Sequence, residues 1–307
     1  MPCFNSMKIK IKKKYVYFSF FLLVFIVFSL ILYKNSIPGQ INVDSKGFLS
    51  LQNPTLKYET SLYEKNENFS IFLLKYESSG QNVYGFIVEP RVNSRSPAAL
   101  LLPGAGVDKL SELTLAKIIA SHGYTVLTID QRGVGQTDGH FPSFEEDYQS
   151  YLSNKIPIQH LMIQDAIIAA DILKKLDKVD SNKVFVIGES LGGRIAIIAA
   201  SIDKSLKGVI VISTAGFHYT GSSDSKQDIF INSIDPDNYI AKISPRPVFM
   251  LHNLYDKNVV LDSANITFAK AKEPKSLLIV NDSGCNHGYC DSMLNLLNSS
   301  INSILRS

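Results

Sequence analysis

The chain has 307 residues, 45% of them hydrophobic and 19% charged, with a formal net charge of +3. That balance describes a folded protein and excludes a disordered one. Six lysines and no acid fall within residues 1–34, so the remainder carries a formal −3, and no basic stripe with interleaved aromatics there supports nucleic-acid binding.

In chain order, the first feature is residues 15–33, 19 uncharged and almost wholly apolar positions, close to the roughly 20 that a helix needs to cross a bilayer. Five lysines precede this run and Lys34 follows it. The positive-inside rule then predicts a basic cytoplasmic N-terminus over 1–14, a single-pass signal-anchor over 15–33, and everything beyond it on the extracytoplasmic side of the membrane. The alternative is a cleaved signal peptide and a secreted protein. Such a peptide has an apolar region of about 7–15 residues ending in a small-residue cleavage site, whereas this run continues into Tyr33-Lys34-Asn35-Ser36. Residues 34–55 contain Pro38-Gly39, Ser45-Lys46-Gly47 and Asn53-Pro54 without sustained periodicity and read as a linker. Residues 56–307 suffice for one large domain.

Within that domain, apolar runs at 68–76 and 82–89 flank Ser78-Ser79-Gly80, a hairpin signal. Ala98-Ala99-Leu100-Leu101-Leu102 reads as a strand buried on both faces. Helices are predicted over 110–122, 158–176, 194–201, 263–271 and 292–305, alternating with strands over 125–129, 183–187, 208–212, 247–251 and 276–280. This alternation predicts an α/β fold with a mostly parallel, doubly wound sheet. Its ligand site lies off the carboxyl ends of the strands. The irregular stretch 214–246 is too short for a large lid, which predicts a small cap and an open site.

The chemistry centres on Gly188-Glu189-Ser190-Leu191-Gly192-Gly193, placed between the predicted strand 183–187 and the helix that follows. A serine at the apex of a tight strand-to-helix turn stands above the sheet edge, in a backbone geometry that only small neighbours allow. The turn also aims the first free N–H of the helix, that of Leu191, at an oxyanion formed by attack of Ser190 on a carbonyl. A serine hydroxyl needs a base, and the base needs an orienting acid. His287 follows the last predicted strand and is the candidate base, with His252 its rival. His122, His140, His160 and His218 read as structural. Asp256 follows the penultimate strand and is the candidate acid, with Asp282 the competitor. The order Ser190, Asp256, His287 is the one an α/β-hydrolase arrangement requires. A second oxyanion donor is expected from the backbone of Ala105, in Pro103-Gly104-Ala105-Gly106. Cys285 and Cys290 bracket His287, and an extracytoplasmic setting permits either a stapling disulfide or two free thiols.

These stretches, together with Asp130-Gln131-Arg132-Gly133-Val134-Gly135-Gln136-Thr137-Asp138-Gly139, resemble those of the α/β-hydrolase superfamily of serine hydrolases over nearly all of 56–307. Residues 83–90, Gly192-Gly193 and 235–248 look like the dienelactone-hydrolase-like and prolyl-oligopeptidase-related branches. The family's histidine before the oxyanion glycine is here Pro103, so only backbone donation carries over. The loop at 130–139 is similar to one that shapes the site without catalysing. The resemblance implies a cofactor-independent enzyme that cleaves a small-molecule ester through a Ser190–Asp256–His287 triad, with Leu191 and Ala105 as the oxyanion hole. A peptidase acting on short peptides, an acyltransferase with the same triad, and a non-catalytic binding module are the alternatives.

Overall fold

The computed structural model describes residues 40–52, 54–221 and 225–307. The apolar run 15–33 and the basic segment before it lie outside the described residues. Among the described residues, no helix is long and apolar enough to cross a membrane.

Eleven strands are described: β1 (Ile41–Val43), β2 (Leu49–Leu51), β3 (Tyr58–Lys65), β4 (Phe69–Ser78), β5 (Gln81–Pro90), β6 (Ser96–Leu102), β7 (Thr125–Ile129), β8 (Val179–Glu189), β9 (Val209–Ile212), β10 (Val248–Asn253) and β11 (Lys275–Val280). Seven α-helices accompany them: α1 (Leu113–Ser121), α2 (Phe144–Leu152), α3 (Ile158–Lys175), α4 (Leu191–Ile202), α5 (Lys226–Ile234), α6 (Leu261–Lys270) and α7 (Leu294–Arg306). Nine strands form one sheet in the order β3-β4-β5-β7-β6-β8-β9-β10-β11. The ladders from β7 through β11 are parallel, and β3, β4 and β5 extend the sheet antiparallel.

Alternation along the central strands builds a core on each face, because successive side chains point to opposite sides. Ala98, Leu100 and Leu102 of β6 pack with Val184 and Val186 of β8 beneath α3 and α4. Ala99 and Leu101 pack with Phe185 and Ile187 on the other face, beneath α1 and α7. All of these side chains are buried. Water is thereby excluded from both sheet surfaces, and the strand ends stay rigid enough to carry a site.

The region read as a linker departs from that expectation over residues 41–51. There β1 and β2 pair antiparallel, with Ile41 and Leu49 buried in the main core. The Leu49 N–H donates to Tyr239 Oη at 3.0 Å, and that hydroxyl donates to the Gly47 carbonyl. Strand β3, an edge strand exposed at almost every position, is absent from the expected set.

The small cap consists of two helices absent from the expected set. Both carry capping boxes: the Ser143 hydroxyl accepts from the Glu146 N–H at the start of α2, and that of Ser225 accepts from the Asp228 N–H at the start of α5. Phe230 of α5 is fully buried against Tyr148 and Tyr151 of α2, with ring centroids 5.5 Å apart in each pair. His160 of α3 lies beneath them, its Nε2 2.6 Å from Ser233 Oγ. The Ser233 hydroxyl is committed to the Phe230 carbonyl, so the imidazole N–H is the donor. Burial lowers the His160 pKa to about 3, keeping the ring neutral.

Candidate active site

Ser190 sits between β8 and α4 with φ 50° and ψ −115°. This is a left-handed conformation that a non-glycine residue adopts only when its surroundings impose it. The surroundings here are backbone. A Cβ on Gly188 would lie 2.3 Å from the Gly192 carbonyl oxygen, and one on Gly192 would lie 2.2 Å from that of Leu102. The elbow is thus jammed against the end of β6, as a nucleophile turn requires. The Ser190 N–H donates to Ile212 O at 2.9 Å, and its carbonyl accepts from Thr214 Oγ1 at 2.6 Å.

The loops after β10 and β11 meet beside this turn. His287 Nδ1 lies 2.9 Å from both carboxylate oxygens of Asp256. Asp256 is buried, and burial alone would raise its pKa. The N–H of Val259, the Ser213 hydroxyl and His287 outweigh that effect, and the net shift is downward. A carboxylate facing Nδ1 fixes the proton on that nitrogen and leaves Nε2 with its lone pair free to accept.

The rival residues have other hydrogen-bond partners, although His252 Nε2 also lies 3.9 Å from Asp256 Oδ2. His252 is buried and gives its Nε2–H to the Val259 carbonyl at 2.8 Å. Asp282 accepts the N–H of Gly284 at 2.9 Å within its own loop. Among the other histidines, the exposed His122 ring contacts Ile118 O, and His218 lies between Asp237 and Ser263.

The His287 loop is tied to the elbow itself. Glu189, the residue before Ser190, accepts the Tyr289 N–H at 2.8 Å, and its Oε2 lies 2.9 Å from where a Cβ on Gly288 would stand. Cys285 and Cys290 are joined in a disulfide with their Cα atoms 6.0 Å apart, closing the loop that carries His287. Glu112, buried on the turn before α1, sits near Glu189. Burial first, and then the charge of Glu189, push its pKa up to about 8.

Leu191 opens α4, so its N–H belongs to the first turn, which has no intrahelical partner. Ala105 is exposed in a turn closed by Val107 N–H to Gly104 O at 3.2 Å, and it lines the same cleft as Ser190 and Leu191. Gln131, at the end of β7, holds that turn by donating to the Pro103 carbonyl at 2.7 Å.

The loop at 130–139 is scaffolding. Asp130 takes the Lys109 ammonium at 2.7 Å and the Gln136 N–H at 2.9 Å, while Arg132 forms a buried two-pronged pair with Asp165 at 2.8 Å per contact. The loop delivers Phe141 and Pro142 to the wall of a cleft of ≈ 310 Å³, which Phe144 and Phe217 also line.

Sequence reasoning did not single out Gln131, Glu112, Glu189 or the cleft residue Arg194. Glu189 and Arg194 stand within or next to the serine motif, but their partners are distant in sequence.

Residues 51–219 match the acetyl xylan esterase (AXE1) family, more than half of the chain. YfhR of Escherichia coli O157:H7 is 24% identical over 213 residues, 61% of this chain and 72% of that protein. Acetyl esterase Axe7A of Xylanibacter ruminicola is 26% identical over 170 residues, 52% of this chain, and the chain spans only 38% of its length. The acetyl xylan esterase of Paenibacillus sp. R4 superposes with a TM-score of 0.68 at 19% identity, over 81% of this chain and 89% of that one. Acetyl xylan esterase 1 of Thermoanaerobacterium sp. JW/SL YS485 superposes with a TM-score of 0.66 at 15% identity, over 81% and 88%. The strained serine turn, the parallel sheet and the family match thus agree: the chain belongs to the acetyl xylan esterase (AXE1) family and is a serine carboxylic-ester hydrolase with the α/β-hydrolase fold.

Proposed function

We propose that this protein hydrolyses short-acyl esters through a triad of Ser190, His287 and Asp256. The observation that carries the reading is the His287 Nδ1 pairing with both oxygens of a buried Asp256, on a loop anchored to the residue before Ser190. Ser190 Oγ attacks the ester carbonyl while His287 Nε2 takes its proton. The N–H groups of Leu191 and Ala105 receive the oxyanion. Collapse of the tetrahedral intermediate expels the alcohol, which carries away the proton from His287. Water then attacks the acyl-enzyme, gives its proton to the same nitrogen, and releases the acid with Ser190 restored.

Names within the family point to acetyl groups on carbohydrate. The cleft beside Ser190, walled by Phe141, Phe144 and Phe217, gives room for an apolar group larger than acetyl. The apolar run 15–33 would hold the domain on the outer face of a membrane, which alkaline carbonate extraction followed by protease accessibility tests directly.

The test of the function is hydrolysis of para-nitrophenyl acetate beside an aminoacyl para-nitroanilide by wild type, Ser190→Ala and His287→Ala. Ester turnover that both substitutions remove is the expected result. Faster turnover of the anilide would favour a peptidase, and ester turnover that survives Ser190→Ala would overturn the proposal.

A further inference from the structure

We propose that Arg194 is a specificity residue that binds a carboxylate carried by the ester on the portion entering the aromatic cleft. This deepens the ester-hydrolase reading above and rests on it. Arg194 lies four residues after Ser190, so the two share one face of the start of α4, and both line the cleft.

Its guanidinium is held in place. Nε donates to the Ala215 carbonyl at 2.9 Å, and Cζ stands 4.5 Å from the Phe217 ring centroid. These two contacts fix the plane and leave the terminal fork uncommitted. Among the described residues, neither terminal nitrogen donates to a carboxylate or a carbonyl.

The two nearby acids are already engaged. Asp235 accepts the N–H groups of Phe217 and Asp237, each at 3.0 Å. Asp237 accepts from Thr267 Oγ1 at 2.7 Å and Lys270 Nζ at 2.8 Å, and it also pairs with His218 Nδ1 at 2.7 Å. Burial pulls the Arg194 pKa below its usual value, and Asp235 and Asp237 offset part of that pull.

A guanidinium cannot escape this cost by losing its proton. Holding a half-buried cation without an ion-pair partner is unfavourable, and tying Ala215 to the helix requires only one of its five donors. The remaining planar fork matches the two oxygens of a carboxylate. A neutral acetylated sugar would leave that charge unanswered.

The test compares kcat/KM for charged and neutral esters in pairs. Mono-para-nitrophenyl succinate against para-nitrophenyl butyrate places the carboxylate on the acyl side, and para-acetoxybenzoate against phenyl acetate places it on the alcohol side. In wild type, one charged ester is expected to exceed its neutral partner. Arg194→Gln should lower that charged-to-neutral ratio by about tenfold to a hundredfold, mainly through KM, and Arg194→Lys should restore part of it. A ratio unchanged by Arg194→Gln overturns the proposal while leaving the esterase reading intact. Failure of wild type to cleave any of the four esters overturns both. Independently of any variant, succinate monoanilide should inhibit wild type more strongly than butyranilide, or benzoate more strongly than benzamide. Equal inhibition within both pairs contradicts the proposal.

Discussion

Asp256→Asn separates the orienting role of the acid from its structural role. In the wild type the carboxylate accepts from His287 Nδ1 and from the N–H groups of Asn258 and Val259, the latter two at 2.9 Å on the same oxygen. Asparagine keeps that oxygen for the two backbone donors. It then turns its NH₂ toward His287 Nδ1, which becomes an acceptor, so the imidazole proton moves to Nε2. Nε2 can then no longer take the proton of Ser190. The imidazolium that forms during attack also loses an anion at 2.9 Å, an interaction of about 6 kcal/mol at an effective dielectric near 20. Together these amount to a loss in kcat of about 10⁴, the scale measured for the analogous change in the Ser-His-Asp template. Steady-state hydrolysis of para-nitrophenyl acetate by folded Asp256→Asn protein, with Asp282→Asn alongside, reads this directly. Activity of Asp256→Asn within tenfold of wild type, or a large loss in Asp282→Asn instead, would refute the assignment.

Three further outcomes follow from the geometry. A Cβ on Gly192 would lie 2.2 Å from Leu102 O and 2.5 Å from Pro103 O, both main-chain atoms. Gly192→Ala should therefore displace the elbow from the oxyanion turn, abolishing turnover and lowering Tm, and a variant with normal kcat would contradict the tight approach. His160 has a folded pKa of about 3, below its unfolded value near 6.5. Its contribution to stability is therefore complete above pH 6.5 and is lost as pH falls toward 3, amounting to about 2 kcal/mol at pH 5. His160→Gln should flatten the drop in Tm between pH 7 and 5, and an unchanged slope would argue against a neutral buried ring. Glu112 has the opposite sign, because its folded pKa is raised to about 8 and its stability is lost as pH climbs from the ordinary carboxylate range to that value. Glu112→Gln should raise Tm at pH 9 more than at pH 4, whereas equal shifts at both values would show that the carboxyl is not held protonated.

Much of the fold and of the candidate site is legible in the sequence because the informative residues fall at strand ends. The expected strand 125–129 and the helix opening at Ile158 coincide with β7 and α3. Ser190, Asp256 and His287 each follow a strand that apolar runs reveal. What the sequence conceals has physical causes. Strand β3 is exposed on both faces, and its apolar residues Tyr58, Leu62 and Tyr63 do not alternate with polar ones, so no pattern marks it. The β1–β2 ladder is only three residues per strand and buries one side chain from each, Ile41 and Leu49. Helices α2 and α5 are short, but Phe144, Tyr148 and Tyr151 follow helical spacing and both capping boxes are visible as Ser143-x-x-Glu146 and Ser225-x-x-Asp228. Glu112 beside Glu189, and Arg194 beside Phe217, are pairings that only the folded chain creates, so no local pattern announces them.

The most direct test is covalent labelling of the nucleophile. Purified protein treated with a fluorophosphonate should gain one adduct by intact mass, tandem spectra should place it on Ser190, and Ser190→Ala and His287→Ala should remain unlabelled or nearly so. An adduct on another serine, or full labelling of Ser190→Ala, would contradict the Ser190–His287–Asp256 mechanism.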